Sequence, residues 1–297
     1  MDNEILPQKK SPIEIHLSKD EKQANFLALR SRALNPEQKQ YSLDFFCNAS
    51  DSKKLQPNDI ARSALWTVKT SVEREYLENA PIFSSDPTLN IFYTGKALQA
   101  TTDEKVWLQL VFYARSAKFG DVVSVKISDI CKDIGWARNG HYYATVWASL
   151  ERLHYAGLKI KKGKNRIVAF IRMLNLHTAK GDDIRNDGII EYSLDNALNG
   201  WLLLVAGGTV TLLESSAMKR IKPIAQRLYT YTASHKDPLP LAIADFHKMC
   251  GSDANINTVA GLAKWRQSIN KAIVQLQNEN LIVNGWIENE HIFIKRR

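Results

Sequence analysis

The stretch from Thr258 to Arg297, TVAGLAKWRQSINKAIVQLQNENLIVNGWIENEHIFIKRR, constrains this chain more than any other. At about 100° per residue, Leu262, Trp265, Ile269, Ala272, Ile273 and Leu276 share one side of a helix. Lys264, Gln267 and Lys271 lie opposite them. A short polar turn follows, and then two alternating strands. Upstream, a helix-like segment runs from Pro223 to near His235 and leads into PLPLAIADFHKMCGSD, a short helix with a turn. Helix, short helix, turn, long helix and hairpin is the order of a winged helix, whose long helix enters the major groove of DNA. The sequence therefore predicts a DNA-binding protein.

Length and charge fit that expectation. The 297 residues suffice for two domains with separate cores. A hydrophobic content of 44% excludes disorder throughout. Forty Lys and Arg against 31 Asp and Glu leave a net charge of +9, which favours a polyanionic partner; a basic protein without one is the plainer alternative. Cys47, Cys131 and Cys250 are odd in number and show neither CxxC spacing nor paired histidines nearby. They support no disulfide framework and no metal site, and fit a reducing cytoplasm. WLLLVAGG from Trp201 is too short to span a membrane, and MDNEILPQKK lacks the apolar core of a signal peptide.

Residues 1–56 differ from the rest, being rich in Lys, Gln, Glu, Ser and Asp with one helical run from Lys19 to Leu34. They read as a flexible N-terminal arm, since a lone helix of that length is marginal in water. An aromatic island, QYSLDFF, interrupts the arm. Its Gln40, Leu43 and Phe45 match the QxxLxF pattern of peptides that dock on the bacterial polymerase sliding clamp. The alternative is a patch that docks on the chain itself.

From about Pro57 the pattern becomes globular. Asn58–Lys69 and Leu89–Gly95 look like strands, and a helix is expected from Thr102 to about Lys118. VVSVKIS reads as a strand ending in Ser128, an N-cap for DICKDIGW. The long helix HYYATVWASLERLHYAG follows, closed by Gly157. Its apolar side holds Tyr142, Tyr143, Val146, Leu150 and Leu153. The hairpin LKIKKGKNRIVAFIRML then crowds Lys159, Lys161, Lys162, Lys164 and Arg166 together, as a wing lying on phosphates or as a charged edge that resists aggregation. The plan then repeats. ICKDIGW answers to MCGSD, with Cys131 and Cys250 in matching places, and LERLHYAGLKI answers to LQNENLIVNGW. The expected fold is α+β, two tandem winged-helix domains over 57–195 and 196–297 behind the arm.

NDIARSALWTVK, YTGKALQATTDEKVWLQLVFYAR, ICKDIGWARNGHYY, SHKDPLPL and MCGSD with a following KWRQ resemble the TrfA-type replication initiators of broad-host-range plasmids, from about Pro57 to the C-terminus. The resemblance implies a Rep-type protein that binds repeated origin sequences (iterons), helps to melt an adjacent AT-rich region and recruits host proteins. Those partners are the initiator DnaA, the helicase DnaB and the sliding clamp. It also implies a monomer–dimer equilibrium and contact with single-stranded origin DNA, for which no site is legible. Asp44 interrupts the family's contiguous leucine–phenylalanine pair in the clamp peptide.

No catalytic residue, metal or cofactor is expected. Gly207-Gly208 is not followed by the GK[ST] of a nucleotide loop. Tyr142 and Tyr143 beside His141 lie on a packing side, and Asp182-Asp183 reads as a turn rather than the carboxylate cluster a nuclease or primase needs. Base readout is expected from Arg138, Asn139, His141, Thr145 and Arg152 in the first module and from Lys264, Arg266, Gln267, Asn270 and Lys271 in the second. Phosphate contacts are expected from the hairpin cluster and from Lys295, Arg296 and Arg297. Glu288 and Glu290 at the second wing would repel phosphate. A two-module transcriptional repressor is the alternative function, and it has no use for a clamp peptide.

Overall fold

The computed structural model describes residues 52–116, 120–162, 167–180, 186–195 and 210–297, all within one compact unit that begins at Tyr41. The expected Lys19–Leu34 helix, the clamp-like peptide with Gln40, Leu43 and Phe45, and the hairpin residues Lys164 and Arg166 lie outside the described residues.

The chain enters through β1 (Lys53–Pro57) and a single buried turn, α1 (Asn58–Ala61), followed by β2 (Trp66–Thr67), β3 (Tyr76–Ile82), β4 (Leu89–Lys96) and β5 (Leu98–Gln99). The expected strand over Asn58–Lys69 is thus mostly not a strand. All four residues of α1 are buried, Asn58 and Asp59 included, so burial on every side leaves no period-2 pattern to read. A wide π-type turn, Ala100–Glu104, leads into α2 (Lys105–Tyr113) and a 3-10 turn over Ala114–Ser116.

The first winged helix is α2, β6 (Val123–Lys126), α3 (Ile127–Ile134), α4 (Gly140–Tyr155), β7 (Gly157–Lys162) and β8 (Ile167–Arg172). Its α3 starts one residue before Ser128, and no side chain of its own caps it. Instead the Asp187 carboxylate accepts the Ser128 N–H at 2.9 Å and the Gly188 carbonyl accepts the Ile127 N–H. The helix stops at Gly135, whose φ of 82° suits a residue without Cβ. Ala156, rather than Gly157, closes α4; Gly157 opens β7.

The hairpin after α4 is not a free wing. β7 and β8 complete a four-stranded antiparallel sheet in the order β3-β4-β7-β8. β6 pairs instead with β10 (Ile189–Ser193), which β9 (Asn175–Lys180) flanks on its other side.

After β11 (Val210–Glu214) and α5 (Ser215–Arg220) the plan recurs as α6 (Pro223–Ala233), β12 (Leu241–Ala242), α7 (Ile243–Met249), α8 (Val259–Asn278), β13 (Ile282–Glu288) and β14 (His291–Arg296). Pro223 at the first position of α6 gives up an N–H that has no intrahelical partner there. Thr258 caps α8, its hydroxyl accepting the Gly261 N–H at 3.1 Å. Only glycine fits at 261, because a Cβ would fall 1.8 Å from the Asn255 carbonyl oxygen. Trp265, Ile269, Ala272, Ile273 and Leu276 are buried as the periodicity predicts, and Leu262 packs beside them. Cys131 lies in α3 and Cys250 closes α7, equivalent places in the repeat.

A polar seam joins the two units. β1, which leads into the first unit, pairs antiparallel with β11, which leads into the second, from Lys53↔Glu214 to Pro57↔Val210. The folded body therefore begins a few residues before the expected start at Pro57. Beneath this ribbon, Glu104 of the π turn meets Arg227 of α6 at 3.5 Å, and both side chains are fully buried. Gln226 and Gln56 donate to the same carboxylate at 2.6 and 3.0 Å. Arg227 also donates to the Ser63 and Ala61 carbonyls at 2.5 and 3.3 Å.

Arg227→Met removes the only cation bonded to this carboxylate among the described residues. It is expected to cost about 3–5 kcal/mol of stability in urea unfolding, with Glu104→Gln in the same chain recovering part of the loss.

Candidate nucleic-acid interface

Each unit's third helix offers the groove-sized element, and the two differ in how much of the expected reading face is free. In α8, 20 residues long, Lys264, Gln267, Asn270 and Lys271 are all exposed. They follow one side of the helix, opposite the Trp265–Ile269–Leu276 stripe. Two ammonium groups and two amides are therefore presented together, the donors that suit guanine and adenine edges.

Arg266 is placed differently from the sequence expectation. It forms an ion pair with Glu290 at the tip of the β13–β14 hairpin. Asn289 and Glu290 take φ of 45° and 62°, the backbone of a type I′ hairpin turn in which Gly is commoner than Glu. The pairing turns the Glu290 carboxylate toward the recognition helix and neutralises half of the wing's expected repulsion. Glu288 accepts from the Trp286 indole N–H at 3.2 Å and stays exposed. Lys295 is exposed. Arg296 and Arg297 are anchored, donating to the His235 carbonyl at 2.6 Å and the Asn280 carbonyl at 3.3 Å.

Arg138, in the turn before α4, and His141, in its first turn, are exposed. Asn139 is exposed, but its side-chain carbonyl is spent as the N-cap, accepting the Tyr142 N–H at 3.1 Å. Thr145 is half-buried and donates back to the His141 carbonyl at 2.9 Å. Tyr142 stacks on Trp136 at 5.4 Å, in keeping with a packing role.

Arg152 is not on the reading face at all. Its Nε and Nη2 donate to Asp103 Oδ1 at 3.0 and 2.8 Å, while Arg74 and the Gln99 N–H take the other oxygen of the same carboxylate at 3.0 and 2.8 Å. Asp103 is fully buried, so this cluster pins α4 onto the π turn. The partners stand 49 residues apart in sequence, and no local pattern announces the pair.

The hairpin lysines also differ from expectation. Lys159 and Lys161 lie on the outer face of the four-stranded sheet, whereas α4 packs against its inner face through Val146, Leu150 and Leu153. Lys162 is the last residue of β7. Phe92 and Phe170, to which the sequence analysis assigned no role, flank Lys159 on neighbouring strands.

Burial pushes the Cys131 thiol up to about 11 and the Cys250 thiol up to about 12, so both remain protonated near neutrality. Among the described residues no group of three or more His, Cys, Asp or Glu side chains is placed to hold a metal ion, and no helix is long and apolar enough to cross a membrane.

Two winged-helix units in one body, the second with a long helix whose outer side presents two lysines and two amides, define a tandem winged-helix class of fold. A family model described as TrfA protein matches residues 14–296, and the chain belongs to the TrfA family. Plasmid replication initiator protein TrfA of Escherichia coli is 29% identical over 247 residues, 83% of this chain and 62% of that protein. The chain thus spans less than two thirds of that relative's length. A crystal structure of domains 2 and 3 of RctB shares the fold, with a TM-score of 0.52 and 12% identity over 81% of this chain and 98% of that one. A second RctB structure of the same domains gives a TM-score of 0.44 at 13% identity.

Arg152→Ala should lower stability by about 1–3 kcal/mol, as for a lost buried charged hydrogen bond, while leaving the preference for one duplex sequence over another unchanged. Thermal unfolding and competition binding on the same variant separate the two effects.

Proposed function

We propose that this chain initiates plasmid replication by gripping direct repeats at an origin through both winged helices. The observation that carries the reading is the free face of α8, with Lys264, Gln267, Asn270 and Lys271 exposed on a helix held by a buried stripe, in a chain of the TrfA family. Arg138 and His141 supply the matching contacts in the first unit, and Lys295 supplies a phosphate contact beside the second. Each good bidentate side chain–base pair contributes about 1–3 kcal/mol of discrimination. Phosphate contacts add sequence-blind, salt-sensitive affinity.

No covalent chemistry is needed for this role. Bending and untwisting a site costs a few kcal/mol or more, depending on sequence, and an array of bound initiators supplies that collectively, opening the neighbouring AT-rich region. The name of the Escherichia coli relative, a plasmid replication initiator, supports the assignment. Residues 57–195 and 196–297 act as two groove-reading modules. The arm before β1 carries the Gln40, Leu43 and Phe45 peptide for the polymerase sliding clamp, and DnaA and DnaB are the further host partners. The protein acts in the bacterial cytoplasm and exchanges between monomer and dimer.

The full chain is expected to retard a duplex carrying direct repeats with neither nucleotide nor divalent metal present. Lys264→Ala with Lys271→Ala should weaken repeat binding more than binding to random duplex; equal losses would show that α8 does not read bases. Leu43→Ala with Phe45→Ala should abolish retention on immobilised sliding clamp and spare the duplex shift, and undiminished retention removes the clamp assignment.

A further inference from the structure

The outer face of the sheet β3-β4-β7-β8 carries a row of side chains that the duplex-binding role does not use. In register across the strands stand Pro81, Phe92, Lys159 and Phe170, and on the adjacent rung Asn90 faces Lys161. The opposite face is core: Ile91, Tyr93, Leu158, Ile160 and Ile171 are all buried. Phe170 is 69% exposed, an unusual setting for a ring that gains from burial. The Lys159 ammonium sits 5.7 Å from the Phe92 ring centre and 5.9 Å from that of Phe170, and the Lys161 ammonium is 5.2 Å from Phe92. β4, β7 and β8 contain no Asp or Glu.

Rings alternating with cations, with no carboxylate on their strands, select a ligand that is both anionic and flat-faced. Adjacent strands are about 4.8 Å apart, so Phe92 and Phe170, separated by β7, stand roughly 10 Å apart, Phe92 half-buried and Phe170 largely exposed. A DNA duplex hides its base faces in the stack and offers nothing to such rings. A single strand exposes them, and base–aromatic stacking with lysines on the phosphates is how sequence-tolerant single-strand sites are built. Four-stranded sheets with outward aromatics bind single-stranded RNA in the same manner. A second copy of the chain, related by a twofold axis through this face, would bring Lys159 and Lys161 toward their own images, with no acid on β4, β7 or β8 to compensate them.

We infer that the outer face of this sheet is a platform for single-stranded nucleic acid, with bases stacked on Phe92 and Phe170 and phosphates held by Lys159 and Lys161. The inference rests on the initiator reading above and gives a strand of the opened origin a place to go. Because α4 packs on the inner side of the sheet, the platform and the duplex-reading helices point in different directions and are occupied independently.

The test compares two labelled probes by fluorescence anisotropy on the full chain: a mixed-sequence single strand and a duplex with direct repeats. Phe92→Ala with Phe170→Ala should weaken single-strand binding about tenfold per ring and leave duplex binding unchanged, and Phe92→Tyr with Phe170→Tyr should restore it. Phe170→Ala alone, at a mostly exposed position, reports on the platform without touching the core. Lys159→Ala should reduce the slope of log affinity against log salt for the single strand by about 0.7. The inference fails if the double alanine variant holds the single strand as tightly as the parent. It fails equally if that variant changes sedimentation mass and not strand affinity, which would mark a chain–chain contact. A parent that binds repeats but no single strand overturns this inference alone; a parent that ignores repeat duplex overturns the initiator reading instead.

Discussion

Everything that the two units do together depends on one buried carboxylate. Glu104 has no solvent access, and burial pushes its carboxyl above the ordinary range while the Arg227 guanidinium and the Gln226 and Gln56 amides pull the other way. A charge in such a place is tolerable only when its partners hold their positions, and a network of this kind is stiff because every member left unsatisfied is costly. Its members come from β1, the π turn and α6, so the same contacts that satisfy Glu104 also fix the first unit against the second. Around it, Asn58 accepts from Thr211 at 2.6 Å and Arg62 donates to the Ser234 hydroxyl at 2.9 Å. The two recognition helices are therefore held relative to each other by this polar seam together with the apolar core that runs through both units.

A second buried carboxylate does a related task one residue away. Asp103 holds Arg152 of α4 and Arg74 at once, so neighbouring residues of one wide turn address different partners, one tethering the recognition helix of the first unit and the other tethering the second unit. The turn is π-type rather than α-helical, and such turns cluster at sites with a specific task. Here the task is geometric: two acids in succession address two different modules.

How much of this was legible in the sequence follows from how local each signal is. The α8 stripe and the β13–β14 hairpin were readable because amphipathic periodicity and turn chemistry act over a few residues. The tandem repeat was readable for the same reason. The strand expected over Asn58–Lys69 failed because the seam buries that segment on all sides. Arg152 and Arg266 were assigned to DNA because helical position alone places a cation; only tertiary structure reveals Asp103 and Glu290 beside them. Likewise Phe92, Lys159 and Phe170 form a row only through strand register, which sets β4 against a hairpin that lies far from it in the chain.

The β1–β11 ribbon has a consequence for how the molecule is made. Lys53 and Glu214, which close it with an ion pair, are separated by 161 residues. β1 must remain without its hydrogen-bonding neighbour until the whole first unit and then β11 have been synthesised. Contacts of such long range close late, so the clasp between the modules is among the final steps of folding, and the nascent first unit passes through a period with an open β edge before the second arrives to cover it.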